Sequence, residues 1–545
     1  MKRRDFLSNG SLLAAGTAAL LTASCNNNAP VTKTDSAISA TIVKEASTDF
    51  ELNELTVTEL QEKMTSGKYS AEQLTSMYLQ RIEMIDKAGP KLNSVIEVNP
   101  DAMAIAKAMD AERKSGKVRG PLHGIPILIK DNIDTADKMM TTAGSLALVG
   151  HIAAKDAFIV KKLREAGAVL LGKTNLSEWA NFRSGKSCSG WSSRGGQTKN
   201  PYIIDHNPCG SSAGSGVAVS ANLCAIAIGT ETDGSITCPA SVNGVVGIKP
   251  TVGLWSRSGI IPISHTQDTA GPLTRTVKDA AIFLGALAGV DGEDAVTKES
   301  EGKAQPDYTK FLTADGLKGK VIGIDKKKSA NQYLNQLLEQ AVNLMKQQGA
   351  TIIEIEYLDK VNKNGDAEFE VLKYEFKYGI NKYLSTANNS MKTLKDLIEF
   401  NKANEEKAMP TFKQETFIAC EETKGLEDKK YIDALNKSKN ETRKIIDAVM
   451  QQNKLDAIAG LTMGPACSID TIYGDRWGDV SLTSPAAMTG YPHISVPCGF
   501  AYDLPVGFSF FSGAYKEGEL ISLAYAYEQA TKHRKLPEFK KSFLA

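Results

Sequence analysis

The chain has 545 residues, 42% hydrophobic and 23% charged, and its 64 basic side chains offset 63 acidic ones to a net charge of +1. That composition fits a soluble globular protein with a sizeable core, and the near-neutral balance excludes nucleic-acid binding of the kind that needs a strong positive field. Eight cysteines (Cys25, Cys188, Cys209, Cys224, Cys238, Cys420, Cys467 and Cys498) form no C-x-x-C pair or zinc-finger spacing. They read as packed thiols rather than metal ligands.

Lys2, Arg3 and Arg4 precede an apolar segment from Leu12 to Leu21, an export signal too short to span a membrane. Arg3-Arg4-Asp5-Phe6-Leu7 resembles a twin-arginine signal, and Leu21-Thr22-Ala23-Ser24-Cys25 resembles a bacterial lipoprotein cleavage box. Residues 1–25 are therefore expected to be a signal ending at a lipidated Cys25; a plain secretory signal cut near Ala23 is the alternative. Residues 26–50, rich in Asn, Thr, Ser and Ala, read as a flexible tether. The expected location is the periplasmic or cell-surface side of a bacterial membrane, reached through the lipid anchor.

Residues 51–545 read as one large domain. Thr58–Met64, Ala71–Ile85 and Asp101–Lys114 place apolar residues at helical spacing. After the turn cluster Gly120–Gly124, the run Ile125–Ile129 reads as a buried strand that ends at Lys130. Such a lysine either snorkels outward, pairs with Asp131 or Asp134, or stays buried, where loss of solvation disfavours its charge and makes it a base. Ile159–Ala166 as a helix, Val169–Leu171 as a strand and Gly172–Asn175 as a turn continue an alternation that argues for an α/β sheet. A Gly/Ser/Trp loop follows from Ser184 to Gly196.

The stretch from Cys209 to Pro250 is the most unusual in the chain. Two clusters of small residues, Gly210–Gly216 and Thr230–Ser235, flank the aliphatic run Cys224–Ile228, a pattern no flexible linker carries. Its glycines read as devices for positive φ and close backbone approach. Ser235 falls after a strand and tight turn, ahead of a short helix from Ile236 to Asn243, so its hydroxyl would face free backbone N–H groups.

Beyond Pro250, Thr251–Trp255 and Gly259–Ile263 read as strand and loop, Val277–Leu287 as a helix, and Val321–Ile324 as a strand. Residues 357–452 shift to Lys, Glu and Asn on long helical periods: a helical cover over the sheet, or a lining of the substrate entrance. Ala457–Leu461, His493–Val496 and Val506–Phe511 are late strands, and Ile521–Thr531 is a closing helix.

Gly244–Lys249 ends in Lys249-Pro250 and is no phosphate-binding loop. Six histidines offer no G-x-S-x-G nucleophile elbow partner; His123 and His206, nearest the unusual loops, read as local hydrogen-bonding residues. No H-x-x-x-H motif or carboxylate cluster suggests a metal. A serine served by a lysine through a second hydroxyl remains.

G-P-L-H-G-I-P-I-L-I-K-D (120–131), G-S-S-A-G-S (210–215), G-T-E-T-D-G-S-I-T-C-P-A (229–240), G-V-V-G-I-K-P-T (244–251), Gln267–Pro272 and Gly490–Pro497 resemble the amidase signature family. The resemblance spans Leu55 to the C-terminus. It implies a single α/β domain with a central mixed, twisted β-sheet covered by helices on both faces, no cofactor and no metal. It also implies Lys130 as base, Ser211 as bridging serine in a cis peptide, Ser235 as nucleophile and Ser212 as a substrate-binding residue. Backbone N–H groups of Thr232, Asp233, Gly234 and Ser235 would hold the oxyanion. Asp233 stands where the family more often has Gly. The T-E-T-D-G-S variant resembles the peptide-amidase branch, which removes ammonia from C-terminal peptide amides. The alternative functions are a glutamyl-tRNA amidotransferase A-type subunit, or an inactive amide- or peptide-binding lipoprotein.

Overall fold

A computed structural model of the protein describes residues 49–543. The expected signal with Cys25, and the expected tether up to residue 48, lie outside the described residues.

Eleven strands form one mixed sheet: β1 (Val95–Val98), β2 (Pro126–Lys130), β3 (Val169–Thr174), β4 (Ile226–Glu231), β5 (Val246–Lys249), β6 (Thr269–Thr274), β7 (Val321–Asp325), β8 (Thr351–Ile355), β9 (Ala457–Leu461), β10 (His493–Ala501) and β11 (Leu504–Phe511). Their order is β1-β3-β2-β4-β6-β5-β10-β11-β9-β7-β8. The trio β3-β2-β4 is parallel, as is β9-β7-β8, and antiparallel pairings join the two. β2 and β4 are buried at every residue, which is why both read as near-continuous apolar runs. The expected turn at 172–175 is instead the end of β3, because β1 pairs antiparallel with it and opposes Val98 to Gly172.

Helices flank this sheet. α1 (Val57–Thr65) and α2 (Ala71–Arg81) both start with a capping box, Thr56 with Glu59 and Ser70 with Gln73, and turn Val57, Leu60, Leu74 and Tyr78 inward. α3 (Ala102–Lys114) packs against α2. α4 (Ala213–Ser220) is buried at every residue. Its Gly214 lets the helix touch neighbouring main chain, since a Cβ there would collide with the carbonyl oxygens of Ser94 and Asn175. Close approach, not positive φ, is what the first small-residue cluster provides at Gly214. Positive φ appears in the second, at Gly234 (73°), where the chain turns from β4 into α5 (Thr237–Val242).

Residues 251–263 form isolated bridges rather than a ladder strand, and β6 is built from the Thr269–Pro272 motif that follows. α6 (Val277–Leu287) packs on β6. The helix Gln332–Gln347 and strand β8, which no sequence pattern above marks, extend the sheet beyond β7. Residues 357–452 are largely helical, with α7 (Gly365–Thr386) the longest element. Leu372, Phe376 and Ile380 of α7 share an apolar cluster with Trp179, Ile261 and Ile263, so this layer clamps the loops beside the unusual stretch. α8 (Glu517–Thr531) closes the fold against β10.

Candidate active site

Lys130 is the last residue of β2 and is 0% exposed. Its Nζ lies 2.8 Å from Ser211 Oγ, 3.0 Å from Ser212 Oγ and 2.8 Å from Thr230 Oγ1, with the Thr230 carbonyl at 3.3 Å. Ser211 Oγ and Thr230 Oγ1 can each donate or accept, while Ser212 Oγ, whose proton goes to the Thr230 carbonyl, only accepts, so the cage accommodates a neutral amine as well as an ammonium. Burial pulls the Lys130 ammonium down to about 7, against the opposing pull of Asp268 and Glu231. The aspartates that follow it are engaged elsewhere. Asp131 accepts from Arg194 Nη1 at 3.3 Å and from the Gly144 N–H at 3.1 Å, and Asp134 accepts from Tyr383 OH at 2.8 Å. Both also lie in the field of a second buried lysine, Lys173. Snorkelling and the structural ion pair are thus both absent at Lys130.

The peptide bond before Ser211 is cis, and the Ser211 carbonyl accepts from the Ser177 N–H at 3.1 Å. The Ser212 N–H donates to the Ser235 carbonyl at 3.1 Å, which sets the two serine segments side by side. Ser212 Oγ also donates to the Thr230 carbonyl at 3.0 Å, so this hydroxyl is committed to β4. Ser235 is 8% exposed, and no hydrogen bond joins its Oγ to Ser211 among the described residues.

Glu231, buried at the end of β4, accepts from the Ile236 and Thr237 N–H groups at 2.7 and 2.9 Å. The N-terminal donors of α5 are thereby satisfied internally. Those of Asp233, Gly234 and Ser235 donate to no protein acceptor among the described residues. Asp233 Oδ2 accepts from Ser484 Oγ at 2.6 Å, which fixes the side chain away from the turn. Glu368 of α7 faces it: burial first, and the Asp233 charge second, hold the Glu368 carboxyl well above the ordinary range. Gln267 Nε2 reaches Glu368 Oε1 at 2.8 Å.

A cavity of about 370 Å³ adjoins these groups, walled by Asn132, Thr230, Thr232, Ile261, Tyr378 and Tyr383 among others. Asn132 Nδ2 donates to Thr230 Oγ1 at 3.0 Å, so the cavity wall reaches the Lys130 cage in one step. Ser235 itself is not in that wall. The histidines take the local roles expected of them: His123 Nε2 lies 2.9 Å from the Met109 carbonyl and His206 Nδ1 2.6 Å from Asp205. No group of three or more His, Cys, Asp or Glu side chains among the described residues is placed to hold a metal.

Sequence reasoning missed several residues of this site. Thr230 sits inside the T-E-T-D-G-S run and Asn132 two positions past Lys130, but nothing in their spacing marks them. Glu368 comes from the segment read as a helical cover or substrate entrance, and nothing in the sequence singles it out there. The cysteines need a correction: Cys209 and Cys238 are joined in a disulfide rather than packed as thiols. Their separation of 29 residues matches no spacing rule, and only the packing of the 205–212 loop against α5 brings them together.

Such a fold and site place the chain among α/β proteins in which a buried lysine stands beside serine hydroxyls where a histidine base would otherwise be. The chain belongs to the amidase family, whose model matches residues 73–521. It is 43% identical to a probable amidase of Arabidopsis thaliana over 90% of this chain and 93% of that one. The A-type subunit of a glutamyl-tRNA(Gln) amidotransferase from Caldanaerobacter subterraneus is 33% identical over 90% of this chain and 99% of its own length. Among solved structures, the native peptide amidase from Stenotrophomonas maltophilia superposes with a TM-score of 0.86 at 48% identity, covering 90% of this chain and 99% of that one.

Proposed function

We propose that the protein hydrolyses a carboxamide C–N bond through an acyl-enzyme on Ser235, acting on C-terminal peptide amides and releasing ammonia. Neutral Lys130 accepts a proton from Ser211 as Ser211 accepts one from Ser235, and Ser235 Oγ attacks the amide carbon. The unpaired N–H groups of Asp233, Gly234 and Ser235, with that of Thr232, hold the oxyanion. The same relay returns the proton to the nitrogen as the C–N bond breaks, and ammonia leaves. Water then repeats the sequence on the ester and regenerates Ser235.

The observation that carries this reading is Lys130, buried, free of carboxylate partners and ringed by the hydroxyls of Ser211, Ser212 and Thr230. The 48% likeness to a peptide amidase supports the substrate class. Incubation with an amidated peptide should yield ammonia and the free peptide acid; no ammonia from any primary amide would sink the reading. The likeness to the A-type component of an amidotransferase supports a second reading, in which ammonia passes to a partner. Free release of ammonia without a partner separates the two.

Export with a lipid on Cys25 belongs to the same proposal. The Cys209–Cys238 disulfide supports an oxidising compartment, where such bonds persist.

A further inference from the structure

Ser211 and Ser235 lie on separate segments, and a proton relay between them demands that their hydroxyls stay aligned. Three ties hold the segments together. The Ser212 N–H donates to the Ser235 carbonyl at 3.1 Å. Asn243 Nδ2, just past α5, donates to the carbonyls of Pro208 and Pro239, both at 2.8 Å. The third tie is covalent: Cys209, two residues before Ser211, is bonded to Cys238, three residues after Ser235. Both half-cystines are buried, in an apolar cluster with Tyr202, Ile203, Val242 and Met463.

The nearest free thiols are poor partners for exchange. Asn207 links the Cys209 N–H to the Cys467 carbonyl, and Cys188 lies in the field of Cys467. Burial pushes the Cys188 thiol up to about 12 and the Cys467 thiol up to about 11. Each stays protonated at neutral pH, and a protonated thiol does not attack a disulfide. The bridge therefore stands as a fixed brace rather than one half of an exchange couple.

We propose that the Cys209–Cys238 disulfide is a positioning element of the active site, holding the Ser211 hydroxyl in line between Lys130 and Ser235, so that amide hydrolysis depends on its oxidised state. The inference rests on the roles given above to Lys130, Ser211 and Ser235. Reduction needs two electrons and two protons from a dithiol, which becomes a cyclic disulfide while Cys209 and Cys238 become thiols. Because the sulfurs are buried, the reductant gains access only through local opening. A misplacement of about 1 Å in a catalytic group costs up to about 10²-fold, so loss of the brace lowers kcat by about 10- to 100-fold. The cavity walls from α7 and the 257–263 loop are not attached to the bridge, so KM stays within about threefold.

The test uses the oxidised full chain, treated with dithiothreitol under native conditions. Thiols are counted with 5,5′-dithiobis(2-nitrobenzoate), and kcat and KM on an amidated peptide are followed with the rate at which phenylmethylsulfonyl fluoride labels Ser235. The expected result is a fall in kcat and in labelling rate that tracks the appearance of two new thiols, at unchanged KM and with a native circular-dichroism spectrum at the assay temperature, and is restored by reoxidation; the melting temperature falls with the lost cross-link. A Cys209→Ala/Cys238→Ala variant should show the same low kcat and no response to either treatment. A folded double variant, or a reduced wild type, with kcat within about twofold of the oxidised enzyme overturns the proposal. If the double variant does not fold, the reversible reduction of the wild type decides alone. An oxidised wild type that hydrolyses no amide counts against the function proposed above; Ser235 labelling that differs between oxidised and reduced protein still reports on the brace.

Discussion

Gln267 Nε2 donates to Glu368 Oε1 at 2.8 Å and also reaches the Thr232 carbonyl at 3.3 Å, so a single amide ties α7 to the turn that carries Asp233 and Ser235. The Glu368 carboxyl is raised from an ordinary value of 4.5, chiefly by burial. A carboxyl raised in the folded state carries no penalty below its unfolded value, and stability falls as pH climbs from there toward the folded value. Glu368→Gln keeps an acceptor for Gln267 and removes the charge. Its melting temperature should therefore decline less than that of the wild type between about pH 5 and about pH 8. Parallel curves for the two proteins would refute this.

Lys130 must be neutral to accept a proton, and burial sets its value at about 7. Activity should rise with pH through that value, since the protonated fraction is inert below it. Lys130→Ala should lose about 10²- to 10⁴-fold in kcat, and Lys130→Arg nearly as much, because a guanidinium does not deprotonate. An Arg variant that kept most of the activity would show that only positive charge is needed.

Ser235→Ala removes the proposed covalent route and should be at least as damaging as Ser211→Ala, whose loss falls in the range of about 10²- to 10⁴-fold. The double variant should be no worse than Ser235→Ala, because both groups serve one step. Peptide mapping after reaction with a slow ester should place the acyl group on Ser235. An adduct on Ser211 or Ser212 would reverse the roles.

Gly214→Ala tests the packing beneath the site. In a free helix the change would gain about 1 kcal/mol. Here the new methyl meets two main-chain oxygens, of Ser94 and Asn175, that cannot rotate away. A net loss of about 1–3 kcal/mol is expected in denaturant unfolding. A variant as stable as the wild type would show that α4 shifts freely.

Cys25 is tested by labelling. Radioactive fatty acid supplied to a bacterial host should mark the full-length protein and not Cys25→Ala. Equal incorporation into both would exclude the lipid attachment.

The sheet was legible wherever burial on both faces left an unbroken apolar run, as at Ile125–Ile129 and Cys224–Ile228. It was illegible where strand identity depends on a partner. Gly172–Thr174 looks like a turn until β1 is laid against it, and Thr269–Thr274 carries Gly and Pro yet is held between β4 and β5. Lys130, Ser211 and Ser235 stood out through the motifs around them. The groups around them did not, because Thr230, Asn132 and Glu368 are ordinary residues made special by distance alone. The Cys209–Cys238 pairing is of the same kind.

Lys130 ends β2, Ser235 follows β4 and Ser211 precedes the helix between them, so two adjacent parallel strands and their connection hold every group of the proposed relay. Strands β7 to β9 and all of residues 357–452 lie outside that stretch. The proposed relay and the α7 wall of the cavity are therefore written in separable parts of the gene, although Asn132, Thr230 and Thr232 give the relay stretch a share of that wall as well. A chimera that exchanges the helical layer for that of a relative, retaining Glu368, has a route to new amide preferences that leaves the relay intact.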